Sequence, residues 1–322
     1  MSAKQGRPLV SVIMPTYNYG RFLPRAVASV LAQTCGDLEL IIVDDGSTDE
    51  TPEVAARLTD RRVRYVRQAN QGPGAARNTG IALARGTYLA FLDADDTWLP
   101  EKLERQVACI SGQEQIALVY TGVVYVNERG TALRHVPARL RGDLFVPLLR
   151  ENIISGSASS ALVRASCIRE IGGFPTSIRR NEDWLVWLRI AARWQIEAVD
   201  RELVCIMVHP TSASADHYRM IRDVAIMLTL VQAELRDHYP AYVWRRAWSW
   251  ALMSVGHLFA MDHDFRKARR ALDRARRADV TNLNAWVLWL AALAGPAAYR
   301  AIWDARDRWR ALRGLPGRER AE

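Results

Sequence analysis

The sequence predicts an α/β fold: a mixed, mostly parallel sheet sandwiched by helices, followed by a C-terminal α-helical extension. Three observations carry this expectation. Short apolar runs alternate with helical periodicity through the first hundred residues. The polar, chemistry-bearing residues recur just after the apolar runs, at the strand ends where open α/β sheets bind ligands. From Asp216 onward nearly every segment has helical spacing.

In chain order, residues 9–14 read as a buried strand and 21–33 as an amphipathic helix. A second strand covers 38–43. Ser47-Thr-Asp-Glu50 then resembles a helix start with Ser47 as cap. A short third strand covers 63–66, a helix 74–84 and a fourth strand 88–92, the last aromatic and bounded by Gly86 and an acidic cluster. Alternation of this kind argues for parallel strands covered by helices. The middle adds a helix over 101–111, strand signal over 117–126, a polar run Ser155-Gly-Ser-Ala-Ser-Ser160 and a turn at Gly172-Gly-Phe-Pro175. Asn181-Glu-Asp183 precedes a strongly apolar helix over 184–194. In the tail, 265–278 is amphipathic and heavily basic. Residues 285–294 are apolar with two tryptophans, too short to span a bilayer and interrupted by Gly295-Pro296. That stretch fits either a packed helical hairpin or a membrane interface, which tryptophan and arginine favour.

The chain of 322 residues is long enough for a full core, and 49% hydrophobic with 25% charged residues is ordinary globular composition. Cys35, Cys109, Cys167 and Cys205 form no CxxC pair, which argues against a zinc site or a disulfide framework. The first residues lack the basic-then-apolar pattern of a secretion signal, so a cytoplasmic location is expected. The net charge of +9 is uneven: residues 236–322 hold 17 basic and 9 acidic residues, and the rest is nearly neutral. Such a tail either meets an anionic surface or presents solvated arginine-rich helix faces.

Asp93, Asp95 and Asp96 crowd the end of the fourth strand. Carboxylates are rarely buried unpartnered, and their mutual repulsion is relieved by a hard divalent cation that also bridges a substrate phosphate. The competing account is a solvated loop that caps the turn before Trp98-Leu-Pro100.

Four segments occur in order at strand ends: Ser11-Val-Ile-Met-Pro-Thr-Tyr-Asn18, Glu39-Leu-Ile-Ile-Val-Asp-Asp-Gly-Ser-Thr-Asp49, Asn70-Gln-Gly-Pro-Gly-Ala-Ala-Arg-Asn78 and Leu92-Asp-Ala-Asp-Asp96. With these the chain closely resembles the family 2 glycosyltransferases, inverting enzymes on a Rossmann-like glycosyltransferase-A type fold that use nucleotide-sugars. The resemblance continues through Gly172-Gly-Phe174 and Glu182-Asp183 to about Ser214 and then fades.

The resemblance implies that Pro15, Thr16, Tyr17 and Asn18 line a nucleoside pocket and that Asp45 accepts from a uracil or thymine N–H. Helix capping is the other account of Asp44 and Asp45. Arg77 offers planar donors for phosphate or a nucleobase edge, against plain salt bridging on a helix surface; Asn78 packs or caps. By resemblance Asp93 holds the ribose and Asp95 the metal, Mn²⁺ or Mg²⁺, on the diphosphate. Alternation along a strand would let Asp93 and Asp95 face one cavity. Asp183 is the expected general base, with Glu182 beside it able to raise its pKa; both acids also suit a helix start. His209 is either a further metal or phosphate contact or a structural histidine.

The expected division is a catalytic domain over 1–215, with a nucleotide-binding half (1–100) and an acceptor half (101–215), then a basic helical region over 216–322. Expected partners are a UDP- or dTDP-sugar donor, a glycan or lipid-linked glycan acceptor and a membrane surface met by the C-terminal helices, with no nucleic acid. The corresponding activity is hexosyl transfer in bacterial surface polysaccharide or glycoconjugate synthesis, at the inner face of the cell membrane. The other classes open to this sequence are a non-catalytic nucleotide-sugar-binding scaffold and a sugar-phosphate nucleotidyltransferase.

Overall fold

The computed structural model describes residues 7–154, 156–178, 181–209 and 217–312. The chain divides into two compact units, Met1–Ala213 and Ser214–Glu322. The boundary expected at 215–216 lies outside the described residues, as do Ser155 of the polar run and the Pro210-Thr-Ser212 segment.

The first unit is built on one mixed sheet. Its strands are β1 (Val10–Thr16), β2 (Leu38–Asp44), β3 (Val63–Arg67), β4 (Tyr88–Phe91), β5 (Thr97–Trp98), β6 (Ile116–Val126), β7 (Ala132–Val136), β8 (Ala161–Arg164) and β9 (Gln195–Met207). They lie in the order β3-β2-β1-β4-β8-β6-β9-β5, with β7 paired to β6. The β3-β2-β1-β4 portion and the β6–β9 pair are parallel, whereas β8, β7 and β5 run against their neighbours.

The helices of this unit are α1 (Leu23–Leu31), α2 (Thr51–Ala55), α3 (Pro73–Leu83), α4 (Lys102–Ile110), α5 (Phe145–Arg150), α6 (Ala165–Glu170) and α7 (Glu182–Ala191), with a 3-10 turn at Ser157–Ser160. β1 and β2 are buried along their whole length because both faces are covered. Val10, Val12 and Met14 pack with Leu23, Ala26, Val27 and Val30 of α1 and Leu103 and Ile110 of α4. Ile13 points the other way, toward α3: a Cβ on Gly80 would lie 2.4 Å from Ile13 Cγ2, so the glycine lets the helix backbone sit on the sheet. Each fully buried branched side chain contributes roughly 1.5–3 kcal/mol.

Two local expectations are corrected. Ser47 caps no helix: its hydroxyl accepts from Asn18 N–H at 2.9 Å, and α2 starts at Thr51, where Asp49 takes the Thr51 N–H and hydroxyl at 3.0 and 2.5 Å. Glu182 and Asp183 do not precede the apolar helix but form its first turn, entered from Asn181 in a left-handed conformation (φ +57°).

The second unit is helical: α8 (His217–Leu235), α9 (Ala241–Met261), α10 (Phe265–Ala278), α11 (Leu283–Ala294) and α12 (Pro296–Leu312). Asp264 caps α10 by accepting from Lys267 N–H at 3.0 Å. A separate small core joins Met253, Ala260, Ala268, Leu272, Leu288, Ala292 and Trp303. Among the described residues no helix is long and apolar enough to cross a membrane.

Candidate active site

Register places the carboxyl ends of the central parallel strands side by side. Thr16 closes β1 opposite Asp44 of β2, and Leu92 N–H, just past β4, bonds Ile13 O at 3.1 Å. Every loop that follows carries acids or amides.

At the end of β1, Pro15 and Thr16 are buried while Tyr17 and Asn18 are exposed. The Thr16 hydroxyl is buried without a hydrogen-bond partner, an orphan of the kind found where a ligand completes the site. Asn18 sits at φ +58° and its Oδ1 accepts from Thr48 N–H at 2.7 Å, tying the β1 loop to the β2 loop. The two aspartates after β2 divide their roles. Asp44 caps no helix: it closes the turn after β2, accepting from Ser47 N–H at 2.8 Å and from the Tyr65 hydroxyl at 2.5 Å. Asp45 instead accepts from Gln68 Nε2 (2.8 Å), Gln71 N (3.0 Å) and Gly72 N (2.7 Å), so it holds the loop leading into α3.

The acidic cluster is a turn and not a strand continuation. β4 ends at Phe91, and Asp96 N–H bonds Asp93 O at 3.0 Å. The expected strand alternation therefore does not aim Asp93 and Asp95; the turn sends them to different partners. Asp93 meets Arg77 at 2.6 Å, and Asp95 Oδ2 lies 3.0 Å from His209 Nε2. Asp96 is a bracket: it accepts from the Ser159 hydroxyl at 2.6 Å and from Met207 N–H at 3.1 Å. Ser159 also accepts from Asp93 N–H at 3.1 Å, so the 3-10 turn fastens the acidic loop at two points.

Arg77 is not a surface residue. Its guanidinium is buried and bridges Asp93 on one side and Glu182 on the other. Burial works against its charge, but Asp93, Glu182 and Asp183 together outweigh that and hold it protonated. Asn78 fixes the same stretch by exchanging two 2.8 Å bonds with the backbone of Phe174. The arginine thus gathers residues from β4, α3 and α7 that are far apart in sequence.

Burial raises the pKa of four acids here, Asp95, Asp96, Glu182 and Asp183. For Asp95, repulsion from Asp93 adds to burial while the bond to His209 opposes it. Asp96 is pushed well up by burial and by Asp95 and Asp93. Burial also raises Asp183, against the opposing pull of Arg77. Glu182 rises from the usual 4.5 to about 7, again mainly through burial. A gathering of shifted acids marks a functional site more often than a structural one.

Two expected outcomes follow from these buried charges. A carboxyl with a raised folded-state pKa binds its proton more tightly folded than unfolded, so its stabilising contribution is complete below the unfolded value and fades as pH rises through the folded one. With four acids shifted this way, the unfolding temperature of the ligand-free protein falls between about pH 5 and about pH 8, as calorimetry would record. A temperature that rises over that window contradicts the assignment. Replacing Arg77 by leucine strands two buried carboxylates and costs roughly 3–5 kcal/mol, read as a loss of denaturation midpoint; Arg77→Lys recovers only part, lacking the two-pronged fork.

His209 is buried and walled by aromatic rings, with Phe22 at 5.0 Å and Tyr19 at 5.8 Å between centroids. Tyr19, Phe22 and Ser159 were not legible as site residues. Ser159 belonged to a flagged polar run without a role, and Tyr19 and Phe22 carry no sequence signal beyond following Asn18. A cavity of about 680 Å³ elsewhere in this unit, near Leu99, Pro137 and Leu203, contains none of the predicted site residues.

Comparisons with known proteins bear on the family and the fold. Residues 11–172 match the family model Glycosyl transferase family 2. An uncharacterized glycosyltransferase of Rickettsia conorii is 35% identical over 196 residues, covering 60% of this chain and 32% of the relative. The chain thus spans about a third of the length of the first curated relatives it matches. Among solved structures, S. aureus TarS (residues 1–349) in complex with UDP-GlcNAc superposes with a TM-score of 0.66 at 19% identity, covering 96% of this chain and 93% of TarS. The mannosyltransferase PcManGT of Pyrobaculum calidifontis, in complex with GDP-Man and Mn²⁺, gives 0.57 at 20% identity, covering 96% and 83%.

Proposed function

Because the chain belongs to glycosyl transferase family 2 and is a glycosyltransferase, we propose that its first unit moves a hexosyl group from a UDP- or dTDP-sugar to an acceptor hydroxyl with inversion. The observation that carries this reading is the Asp93–Arg77–Glu182 bridge, which draws the strand-end acids and the acid pair of α7 around one place.

Pro15 to Asn18 and Asp45 receive the nucleoside. Asp45 keeps acceptor capacity beyond its three protein donors for a pyrimidine N–H, since a carboxylate offers about four lone-pair sites. Asp93 takes the ribose. Asp95 and His209 would hold Mn²⁺ or Mg²⁺: a carboxylate oxygen and an imidazole nitrogen 3.0 Å apart are donor types such cations accept. When bound, that cation offsets charge on the departing nucleoside diphosphate. Asp183 takes the acceptor proton, while Arg77 occupies Glu182. Relatives in fold bind UDP-GlcNAc, and GDP-Man with Mn²⁺, which supports a nucleotide-sugar donor and a divalent cation.

The acceptor is a glycan or lipid-linked glycan of the bacterial envelope, and the enzyme works in the cytoplasm at the inner membrane face. Incubation with a panel of nucleotide-sugars, Mn²⁺ and glycan acceptors tests the assignment. Release of a nucleoside diphosphate together with a glycoside whose anomeric configuration is inverted relative to the donor is expected. Release of pyrophosphate points to nucleotidyl transfer, and donor binding without turnover points to a scaffold; either overturns it.

A further inference from the structure

We propose that α10 and α11 form a docking surface for an anionic lipid bilayer, with α11 as the apolar ridge that enters the interface and α10 as its arginine flank. This rests on the membrane-facing part of the proposed function and not on the transfer chemistry.

The observation is an outward face of α11 that the fold does not need. The helix already packs in the second unit through Ala285, Leu288, Ala291 and Ala292. On its other side Leu283 (74% exposed), Val287 (45%), Leu290 (55%) and Leu293 (50%) form one stripe at helical spacing. No charged residue occurs between Leu283 and Ala294. A surface helix of a globular protein normally turns polar residues outward, and a continuous apolar stripe marks an interaction site.

The neighbouring helix supplies the reason for choosing a bilayer. α10 carries seven basic residues and one acid. Arg266, Arg269, Arg270 and Arg274 are exposed and make no ion pair among the described residues. Arg276 joins the two helices, its guanidinium 4.6 Å above the Trp286 ring and 4.1 Å above Trp289. An apolar ridge, a tryptophan pair on the same helix and exposed arginines on the helix packed against it supply the groups that meet the layers of an anionic bilayer: acyl chain, interface and headgroup phosphate. A nucleic acid would use the arginines but leave the aliphatic stripe in water. A second copy of this chain would cover the stripe but set like charges against each other.

Co-sedimentation of the full chain with phosphatidylcholine vesicles, with and without phosphatidylglycerol, tests this. Binding is expected only with the anionic lipid, and it weakens as salt screens the arginines. Combined Leu283→Asp and Leu290→Asp lowers partitioning at least about tenfold. Combined Arg266→Glu, Arg270→Glu and Arg274→Glu lowers it about fivefold or more per position. Both variants keep the parent circular dichroism and unfolding temperature, and both keep the thermal shift given by UDP with Mn²⁺, so a failed donor site registers separately. Absence of pelleting overturns the proposal, as does a leucine variant that pellets like the parent. So does a dimer by light scattering that Leu290→Asp converts to monomer, which assigns the ridge to a second copy.

Discussion

Asp95→Ala is expected to reduce metal-dependent sugar transfer on the order of a thousandfold while the chain stays folded. Asp95 is the acid that stands against His209, and a methyl group offers a cation nothing. The fold survives because the substitution removes one of three crowded carboxyls, which relieves the repulsion that raises Asp96. The Asp96 bracket to Ser159 and Met207 remains to hold the loop. Asp95→Asn keeps the shape and is expected to fail similarly, because the charge and not the volume is what a hard cation reads. Nucleoside diphosphate release would be followed with Mn²⁺ and with chelator, alongside circular dichroism. Undiminished activity of Asp95→Ala in chelator removes Asp95 from this role.

Asp183→Asn is expected to lower kcat by roughly a hundred- to ten-thousandfold with donor affinity unchanged. The contrast with Glu182 makes this specific. Glu182 is spent on Arg77, so Glu182→Gln weakens a buried ion pair and shows first in stability and donor binding. Asp183 makes no ion pair within hydrogen-bond reach among the described residues; its Oδ1 accepts from the neighbouring Trp184 N–H at 2.8 Å. Its pKa is raised by burial, so the base gains its proton as pH falls and kcat falls with it. That acid limb of the kcat profile disappears in Asp183→Asn. A variant with parental turnover, or one that keeps the limb, assigns the proton to another group.

The first hundred residues were legible because their central strands, β1 and β2, are buried on both faces. Runs such as Val10 to Met14 and Leu40 to Val43 have no polar side to confuse the reading except Ser11. Strand β9, between β6 and β5, was not legible. β9 interrupts its apolar residues with Glu197, Asp200, Arg201 and Glu202, and so lacks both a continuous run and clean alternation. The site was legible as a list but not as a wiring. Arg77 and Glu182 are 105 residues apart, and no local pattern announces that one closes on the other. The Asp93–Asp96 geometry was misread because alternation was carried past Phe91, where Asp96 N–H turns back to Asp93 O and ends the strand. Lys102 gives the same lesson in reverse: a charged residue near a helix start, it is fully buried, 2.8 Å from Gln106 Oε1 and over the Trp98 ring.

The proposed site holds a nucleoside diphosphate at the strand ends together with a cation beside Asp95 and His209. A thermal-shift series of UDP, dTDP, GDP and their sugars, each with and without Mn²⁺, measures this directly. Ligand at about a hundred times its Kd stabilises the folded chain by about 2.7 kcal/mol. UDP or dTDP species are predicted to raise the unfolding temperature with Mn²⁺, much less without it, and not at all in Asp95→Ala. A shift that is equal with and without the cation, or that survives in Asp95→Ala, contradicts the account.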